Sequence, residues 1–155
     1  MVSKYAIGGA IAVLFYTEPV LTYDMDIYCF LPESSGRLVT LSPIYEFLKR
    51  RGYREDKEHV LIEGVPVQFI PAYNDLVTEA VAEAVETKFK RTRTRVVRVE
   101  HLLAIMLQTD RPKDRTHLTH LLENAKIDAR LRDGILKRHG LAANWREFKR
   151  RHYEK

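Results

Sequence analysis

The sequence of 155 residues contains a single cysteine, Cys29, which excludes a disulfide-stabilised scaffold. One thiol also cannot supply the several thiolates of a cysteine-rich zinc site. Glycine and proline are few, at 7 and 6 residues, and no linker rich in Gly, Pro or Ser divides the chain. We therefore expect a single domain over residues 1–155, with a core built without disulfides, in the reducing environment of the cytoplasm.

Long hydrophobic runs are absent as well. The most apolar stretch, residues 5–16, is shorter than the roughly 20 residues that a membrane-spanning helix needs. It has no convincing signal-peptide cleavage site, so we predict that it belongs to the core and that the protein has no membrane partner. Basic residues outnumber acidic ones, 26 to 21, and the net charge of +5 favours anionic partners such as nucleotides or nucleic acid.

The pattern of the sequence changes near residue 98. Residues 1–97 alternate β-rich runs with helical patterns, whereas residues 98–155 are almost entirely helical in pattern. This order predicts an α/β (α+β) fold, with a small mixed β-sheet flanked by helices and followed by a helical C-terminal half. The predicted strands are 4–7, 23–31, 59–62, 66–70 and 91–97, and the predicted helices are 10–16, 42–51, 75–85, 98–109, 113–125, 128–139 and 143–152.

Two aspartates interrupt the second predicted strand. Residues 23–30 suit a strand except for Asp24 and Asp26, a residue type that strands disfavour. Because side chains alternate across a strand, both carboxylates share one face, where they repel each other and raise each other's pKa. A divalent cation relieves this repulsion, so the pair predicts a metal site for Mg²⁺. The alternative is that Asp24 is a turn residue and Asp26 points to solvent.

A glycine pair lies upstream of the aspartates. Gly8 and Gly9 end the first predicted strand and open the helix that leads to Asp24 and Asp26. Glycines at a helix N-terminus let a phosphate approach bare backbone amides. The alternative is that they let the helix pack closely on the strand. Taken with the aspartates, the pair favours a phosphate-bearing ligand bound with a metal ion.

These motifs are similar to those of a known superfamily. Tyr5-Ala-Ile-Gly-Gly-Ala-Ile-Ala-Val and Thr22-Tyr-Asp-Met-Asp-Ile resemble the signature of the DNA polymerase β-like nucleotidyltransferases, and most closely their minimal and abortive-infection toxin-like bacterial branch. Glu100-His-Leu-Leu-Ala-Ile, Arg111-Pro-Lys-Asp-Arg and Trp145 extend the resemblance over nearly the whole chain. The resemblance implies a metal-dependent enzyme that transfers a nucleotidyl group from a Mg-NTP to a hydroxyl acceptor.

The resemblance also implies roles for individual residues. Asp24 and Asp26 would be catalytic residues that hold Mg²⁺ or Mn²⁺. For Lys113 and Arg115, the alternative is an ordinary solvated helix start in which Asp114 interacts with the helix dipole. The residues that would contact the nucleotide are Gly8, Gly9, Thr22, Lys113 and Arg115.

The third catalytic position differs from the superfamily pattern. A later strand usually supplies a carboxylate that acts as base, but the matching residues 65–70 offer Gln68. An amide cannot accept a proton at neutral pH and is a poor substitute for a charged metal ligand. Glu63 or Asp75 are the alternative carboxylates for this role.

Two functional hypotheses therefore remain open. In the first, the protein is an active enzyme whose acceptor is a tRNA end, a protein side chain or a small-molecule alcohol. In the second, it is a catalytically degenerate family member that binds nucleotide or a protein partner, as in a toxin–antitoxin pair. A third metal ligand or base beside Asp24 and Asp26 would favour the first hypothesis.

Three further features have structural interpretations. The basic residues 88–98 fit an edge strand protected by charge slightly better than a nucleic-acid contact. His117 and His120 lack supporting metal ligands, so we predict a solvated helix face. The amphipathic C-terminal segment, residues 145–153, is expected to dock on its own domain.

Overall fold

The computed structural model describes residues 4–19, 21–31 and 40–153. In these ranges the chain forms a seven-stranded mixed sheet with flanking helices and a helical C-terminal half, which confirms the predicted fold class. No helix in them is long and apolar enough to cross a membrane. The strands are β1 (Lys4–Gly8), β2 (Met25–Phe30), β3 (Arg54–Asp56), β4 (His59–Ile62), β5 (Val65–Pro71), β6 (Val85–Phe89) and β7 (Thr92–Val96). The helices are α1 (Gly9–Val13), α2 (Ser42–Arg50), α3 (Asp75–Ala82), α4 (Val99–Thr109), α5 (Pro112–Asn124), α6 (Ala129–Arg138) and α7 (Ala142–Phe148), which continues into a π-helical turn (Lys149–Tyr153).

The sheet has the strand order β3-β4-β5-β2-β1-β7-β6. β2 is parallel to β5 and β1 is parallel to β7, while the remaining neighbours are antiparallel. The strand that carries Asp26 is therefore the fourth of seven, with three strands on either side. Because β2 is hydrogen-bonded along both edges, its backbone is held by both neighbours and its residues alternate between the two faces of the sheet.

One hydrophobic core joins the sheet to the C-terminal helices. Helix α4 is apolar around its circumference, and its residues from Val99 to Leu107 are all buried. Sheet residues such as Tyr28 and helix residues such as Leu121 belong to the same buried cluster. Trp145 and Phe148 also belong to it, so the C-terminal helix does dock on its own domain, as predicted.

The sequence missed two strands. The predicted helix over 75–85 ends at Ala82, and β6 begins at Val85 because it pairs with β7 through the two-residue turn at Lys90 and Arg91. The other missed strand, β3, has three charged and exposed residues, and its pairing with β4 defines it. Neither strand has the buried, β-branched pattern from which strands are predicted.

Two local predictions were wrong for identifiable reasons. The sequence predicts Asp75 as the N-terminal cap of helix α3, but the cap is Asn74, whose side chain accepts a hydrogen bond from the backbone of Val77 at 2.9 Å. The strand predicted at 91–97 is not an edge, because β7 lies between β1 and β6. Its Arg95 donates hydrogen bonds to the carbonyls of Tyr5 and Val81, at 3.1 and 2.9 Å, and so ties the sheet to α3.

Candidate functional site

The glycine pair and the aspartate strand are in direct contact. β1 and β2 are antiparallel, with Gly8 opposite Asp26. A Cβ added to Gly9 would lie 2.3 Å from Oδ2 of Asp26, and the φ angle of Gly9 is +58°, a conformation that favours glycine. A Cβ on Gly8 would lie 2.1 Å from the ring of Tyr28. Close packing against β2 therefore explains both glycines, and Gly9 makes room for the Asp26 carboxylate.

An open cleft of about 550 Å³ lies beside Asp26. Gly9, Thr22, Asp24 and Asp26 line it from the side of β2, so four of the residues singled out from the sequence meet here. Thr22 donates a hydrogen bond from its hydroxyl to the carbonyl of Asp24, at 3.2 Å, which orders the chain just before the strand. Gly8 is not among the described residues that line the cleft.

The two carboxylates are placed unfavourably unless a cation is nearby. Burial raises the pKa of Asp26, and the neighbouring charge of Asp24 raises it further. Lys113, Arg111 and His59 act in the opposite direction but do not cancel these effects. The pair thus retains the electrostatic repulsion that a divalent cation would relieve.

The N-terminus of α5 also lines the cleft. Arg111 precedes the helix and holds Asp114 with two hydrogen bonds, from Nε at 2.7 Å and from Nη2 at 3.1 Å. Asp114 is only 3% exposed and also accepts a hydrogen bond from the Thr109 hydroxyl at 2.7 Å. This buried network fixes the first turn of α5, whose positive dipole end and Lys113 then border the cleft.

The two predicted phosphate contacts of α5 are not brought together. Lys113 lines the cleft, but Arg115 is not among the described residues that line it. Arg115 forms an ion pair with Asp110, from Nε to Oδ1 at 2.8 Å. Residues two apart on a helix point to nearly opposite sides, whereas residues four apart share a face. His117 therefore lines the cleft with Lys113, and it is half-buried there, on a helix face predicted to be solvated. Burial lowers its pKa.

His59 is the main residue of the cleft that sequence reasoning missed. Its Nε2 atom lies 3.5 Å from Oδ2 of Asp24 and is buried without a hydrogen-bond partner among the described residues. Asp26 is paired with Gln68 of β5. Val67 is paired with Val60 of the antiparallel strand β4, so the next position along places His59 opposite Gln68. Only this strand register brings His59 to the carboxylates, and the sequence carries no local signal for it.

Gln68 pairs with Asp26, in the strand position for which the resemblance implies a carboxylate, but it is not among the described residues that line the cleft. The alternatives are elsewhere. Glu63, in the turn between β4 and β5, accepts a hydrogen bond from the Tyr53 hydroxyl at 3.3 Å, and neither it nor Asp75 is among the described lining residues. The cleft does contain further carboxylates, because Asp56 and Glu58 line it from the end of β3 and the turn that follows.

A separate group of ionisable side chains lies between α3 and α4. Glu79, Glu83 and His101 could hold a metal ion, and within the described ranges they are the only three such residues whose ligand atoms lie within 4.8 Å of one another. Glu79 is already paired, with His101 Nε2 at 3.0 Å, His139 Nε2 at 2.7 Å and the guanidinium of Arg138. These contacts link α3 to α4 and to the end of α6, a structural role that needs no ion.

Comparison with known families and curated proteins does not identify a function for this chain. No family model matches the sequence, and no curated protein matches it significantly. The resemblance drawn from the short motifs therefore remains a prediction.

The close approach of Gly9 to Asp26 can be tested by substitution. We expect Gly9→Ala to lower the free energy of unfolding by about 2–3 kcal/mol, because the new methyl group strains a positive φ angle and displaces the carboxylate. Gly52→Ala is the matched control: its φ is +88°, but its added Cβ would meet nothing within 4 Å. It should cost about 1 kcal/mol, from backbone strain alone. Equal losses in urea denaturation would contradict the proposed collision.

The network around Glu79 should make stability depend on acid pH. Hydrogen bonding to Arg138, and then to His101 and His139, lowers the pKa of Glu79 from its ordinary 4.5 to about 2. Its stabilising effect is therefore complete above pH 4.5 and lost as the pH falls towards 2. We expect Glu79→Gln to cost about 1–3 kcal/mol at pH 7 and progressively less below pH 4.5.

Glu83→Gln is the control for the Glu79 experiment, because the Glu83 side chain is 50% exposed and lies 3.9 Å from His101. We expect it to change stability by less than about 0.5 kcal/mol. A structural network also predicts that a chelator leaves the unfolding curve unchanged. Equal losses in the two variants, together with sensitivity to the chelator, would instead indicate a bound metal.

Proposed function

We propose that the cleft binds a nucleoside triphosphate together with Mg²⁺ or Mn²⁺ and transfers its nucleotidyl group to a hydroxyl acceptor. The observation that carries this proposal is that groups of both charges line one cleft. The carboxylates of Asp24 and Asp26 line it together with Arg111 and Lys113 at the N-terminus of α5, and both of these cations act on Asp26. A nucleotide with its cation presents both signs of charge to complement them.

The residues present fit a divalent cation. Asp24 and Asp26 offer hard carboxylate oxygens, the donor type that Mg²⁺ and Mn²⁺ prefer. Gly9 leaves the space beside Oδ2 of Asp26 clear of any side chain of its own. Asp26 has a raised pKa, caused by burial and by Asp24, so a positive neighbour would stabilise its charged form. When bound, the cation would neutralise charge on the triphosphate and orient its α-phosphorus.

The chain's own residues would bind and orient the nucleotide. Lys113, Arg111 and the α5 N-terminus would attract the phosphates, and Asp114 keeps the Arg111 guanidinium in position. In the transfer, the acceptor oxygen forms a bond to the α-phosphorus and the bond to the β-phosphate's bridging oxygen breaks. Pyrophosphate leaves, and the acceptor proton passes to solvent in the open cleft. Positioning and electrostatics would supply most of the rate.

A second function, nucleotide binding without transfer, is favoured by one specific observation. Gln68 pairs in register with Asp26, so the strand position beside the carboxylates offers an amide. An amide can accept a hydrogen bond but cannot take up the acceptor's proton at neutral pH. Asp56 and Glu58 line the same cleft and offer carboxylates that could accept this proton, so we retain nucleotidyl transfer as the proposed function. The possible acceptors remain a tRNA end, a protein side chain or a small-molecule alcohol.

Nucleotide binding can be measured by thermal unfolding with each NTP, with and without Mg²⁺ or Mn²⁺. A ligand at about 100 times its dissociation constant adds roughly 2.7 kcal/mol, which should raise the melting temperature by about 5–10 °C. We expect Asp26→Asn to abolish the metal-dependent shift yet to stabilise the ligand-free protein, because it removes a raised-pKa carboxylate beside Asp24.

Asp133→Asn is the matched control for Asp26→Asn, since the Asp133 side chain is 61% exposed. For the phosphates, Lys113→Ala should weaken NTP binding about tenfold or more, because a hydrogen bond to a charged group contributes about 1.5–3 kcal/mol. The exposed Lys137→Ala should leave binding unchanged. A shift that survives Asp26→Asn would place the nucleotide elsewhere, and no shift with any NTP would refute the proposal.

Gln68→Glu separates the two functions. A third carboxylate beside Asp26 should destabilise the metal-free protein and tighten Mn²⁺ binding on the order of tenfold, as ligand charge increases. Gln108→Glu is the control, because Gln108 is exposed and accepts a hydrogen bond from Asn74. If the natural protein only binds nucleotide, pyrophosphate release from labelled NTP should appear in Gln68→Glu alone. An unchanged Mn²⁺ affinity would show that Gln68 does not adjoin the metal.

A further inference from the structure

β6 forms one edge of the sheet, and its outer side faces no other strand in the described part of the chain. It is joined to β7 by a two-residue turn, with Phe89 opposite Thr92. In such a hairpin the pair next to the turn is hydrogen-bonded, and inward-facing and outward-facing residues then alternate. Val85, Thr87 and Phe89 therefore bond to β7, while the backbone groups of Glu86 and Lys88 point outwards.

The sequence of this strand, Val85-Glu-Thr-Lys-Phe89, complements itself when read antiparallel. A two-fold axis beside Thr87 would pair Glu86 with Lys88 of a second copy, and Lys88 with Glu86 of that copy. The outward-pointing backbone groups of Glu86 and Lys88 would form the hydrogen-bonded pairs, and the two Thr87 residues the non-hydrogen-bonded pair between them. Charge and backbone pattern thus agree on a single register.

Lys88 of β6 has no neighbour of opposite charge across the β6–β7 pairing, whereas Glu86 stands opposite Arg95 of β7. Lys88 stands opposite Arg93 on β7, and like charges directly opposite each other destabilise a sheet. Neither Glu86 nor Lys88 forms an ion pair within residues 4–19, 21–31 and 40–153. Glu86 of a second copy would place a negative charge beside Lys88 on its free side.

The apolar side chains of β6 support the same register. Phe89 is 61% exposed and Val85 is 37% exposed, on the face opposite to that of Glu86 and Lys88. The same antiparallel pairing sets Phe89 of one copy against Val85 of the other, an aromatic and β-branched pair that stabilises sheets. Phe89 also borders an apolar groove of about 420 Å³, with Ile11 and Phe15 of the α1 region, which would extend across the axis.

We propose that the protein forms a symmetric homodimer by antiparallel pairing of β6 with β6 of a second copy, giving one continuous sheet. The opposite edge is unsuited to this role, because β3 has only three residues, all charged and exposed. In an isologous dimer each contact occurs twice, so the two Glu86–Lys88 pairs both contribute. The proposal does not depend on the function of the cleft.

The mass of the full chain in solution is the first test, by light scattering over a dilution series. We expect twice 18.1 kDa at high concentration. Glu86→Lys and Lys88→Glu should each weaken the dimer about tenfold or more, because each sets like charges together at two places. Glu55→Lys, on the opposite edge strand, is the matched control and should leave the dimer intact.

Mixing the two β6 variants distinguishes this register from other modes of association. In an equimolar mixture, the Glu86→Lys chain and the Lys88→Glu chain present opposite charges at both pairs, so the dimer should return. A monomeric natural protein throughout the dilution series would overturn the proposal. So would a dimer that both variants leave intact, or a mixture of folded variants that stays monomeric.

A disulfide test reports the register directly. Non-hydrogen-bonded partners have Cα atoms about 4.5 Å apart, within the roughly 4.4–6.8 Å that a disulfide spans. Because the native Cys29 is buried, Thr87→Cys should give a covalent dimer under mild oxidation through the introduced thiol. The exposed Thr116→Cys of α5 is the control and should remain monomeric on a non-reducing gel. No crosslink in a folded Thr87→Cys protein would contradict the two-fold axis beside Thr87.

Discussion

The close contact between Gly9 and the Asp26 carboxylate is the constraint on which the cleft depends. A side chain at Gly9 would collide with Oδ2 of Asp26, so the turn from β1 into α1 can lie against β2 only with glycine there. β2 is the fourth of seven strands and is hydrogen-bonded on both sides, so its backbone at Asp26 is held in place. Asp26 is therefore partly buried next to Asp24, and both conditions raise its pKa.

The part of the cleft formed by α5 depends on a second buried carboxylate. Asp114 is nearly inaccessible and accepts hydrogen bonds from Thr109 at the end of α4 and from Arg111 at the start of α5. The two helices are thereby held together, and α4 is buried in the core beneath the sheet. Asp26 on a central strand and the first turn of α5, held by Asp114, consequently line the same cleft from elements that are both anchored in the core.

Local sequence patterns were sufficient for the fold class and part of the site. Period-two and helical patterns identified most of the elements, because each depends on neighbours within a few residues. The alternation of side chains indicated that Asp24 and Asp26 would share a face, and both line the cleft. β3 and β6 were missed because their residues are mostly exposed, and these segments are strands only because they pair with β4 and β7.

By itself, the sequence determined the mixed α/β architecture, the aspartate pair and the glycine that lies against it. The tertiary structure alone decided that His59 approaches Asp24, that Gln68 adjoins Asp26, and that α5 presents His117 to the cleft rather than Arg115. The physical reason is that these features depend on contacts between residues that are distant in the sequence. The register between β2, β5 and β4 and the rotation of α5 about its axis are set by core packing among residues far apart in the chain, which no local pattern encodes.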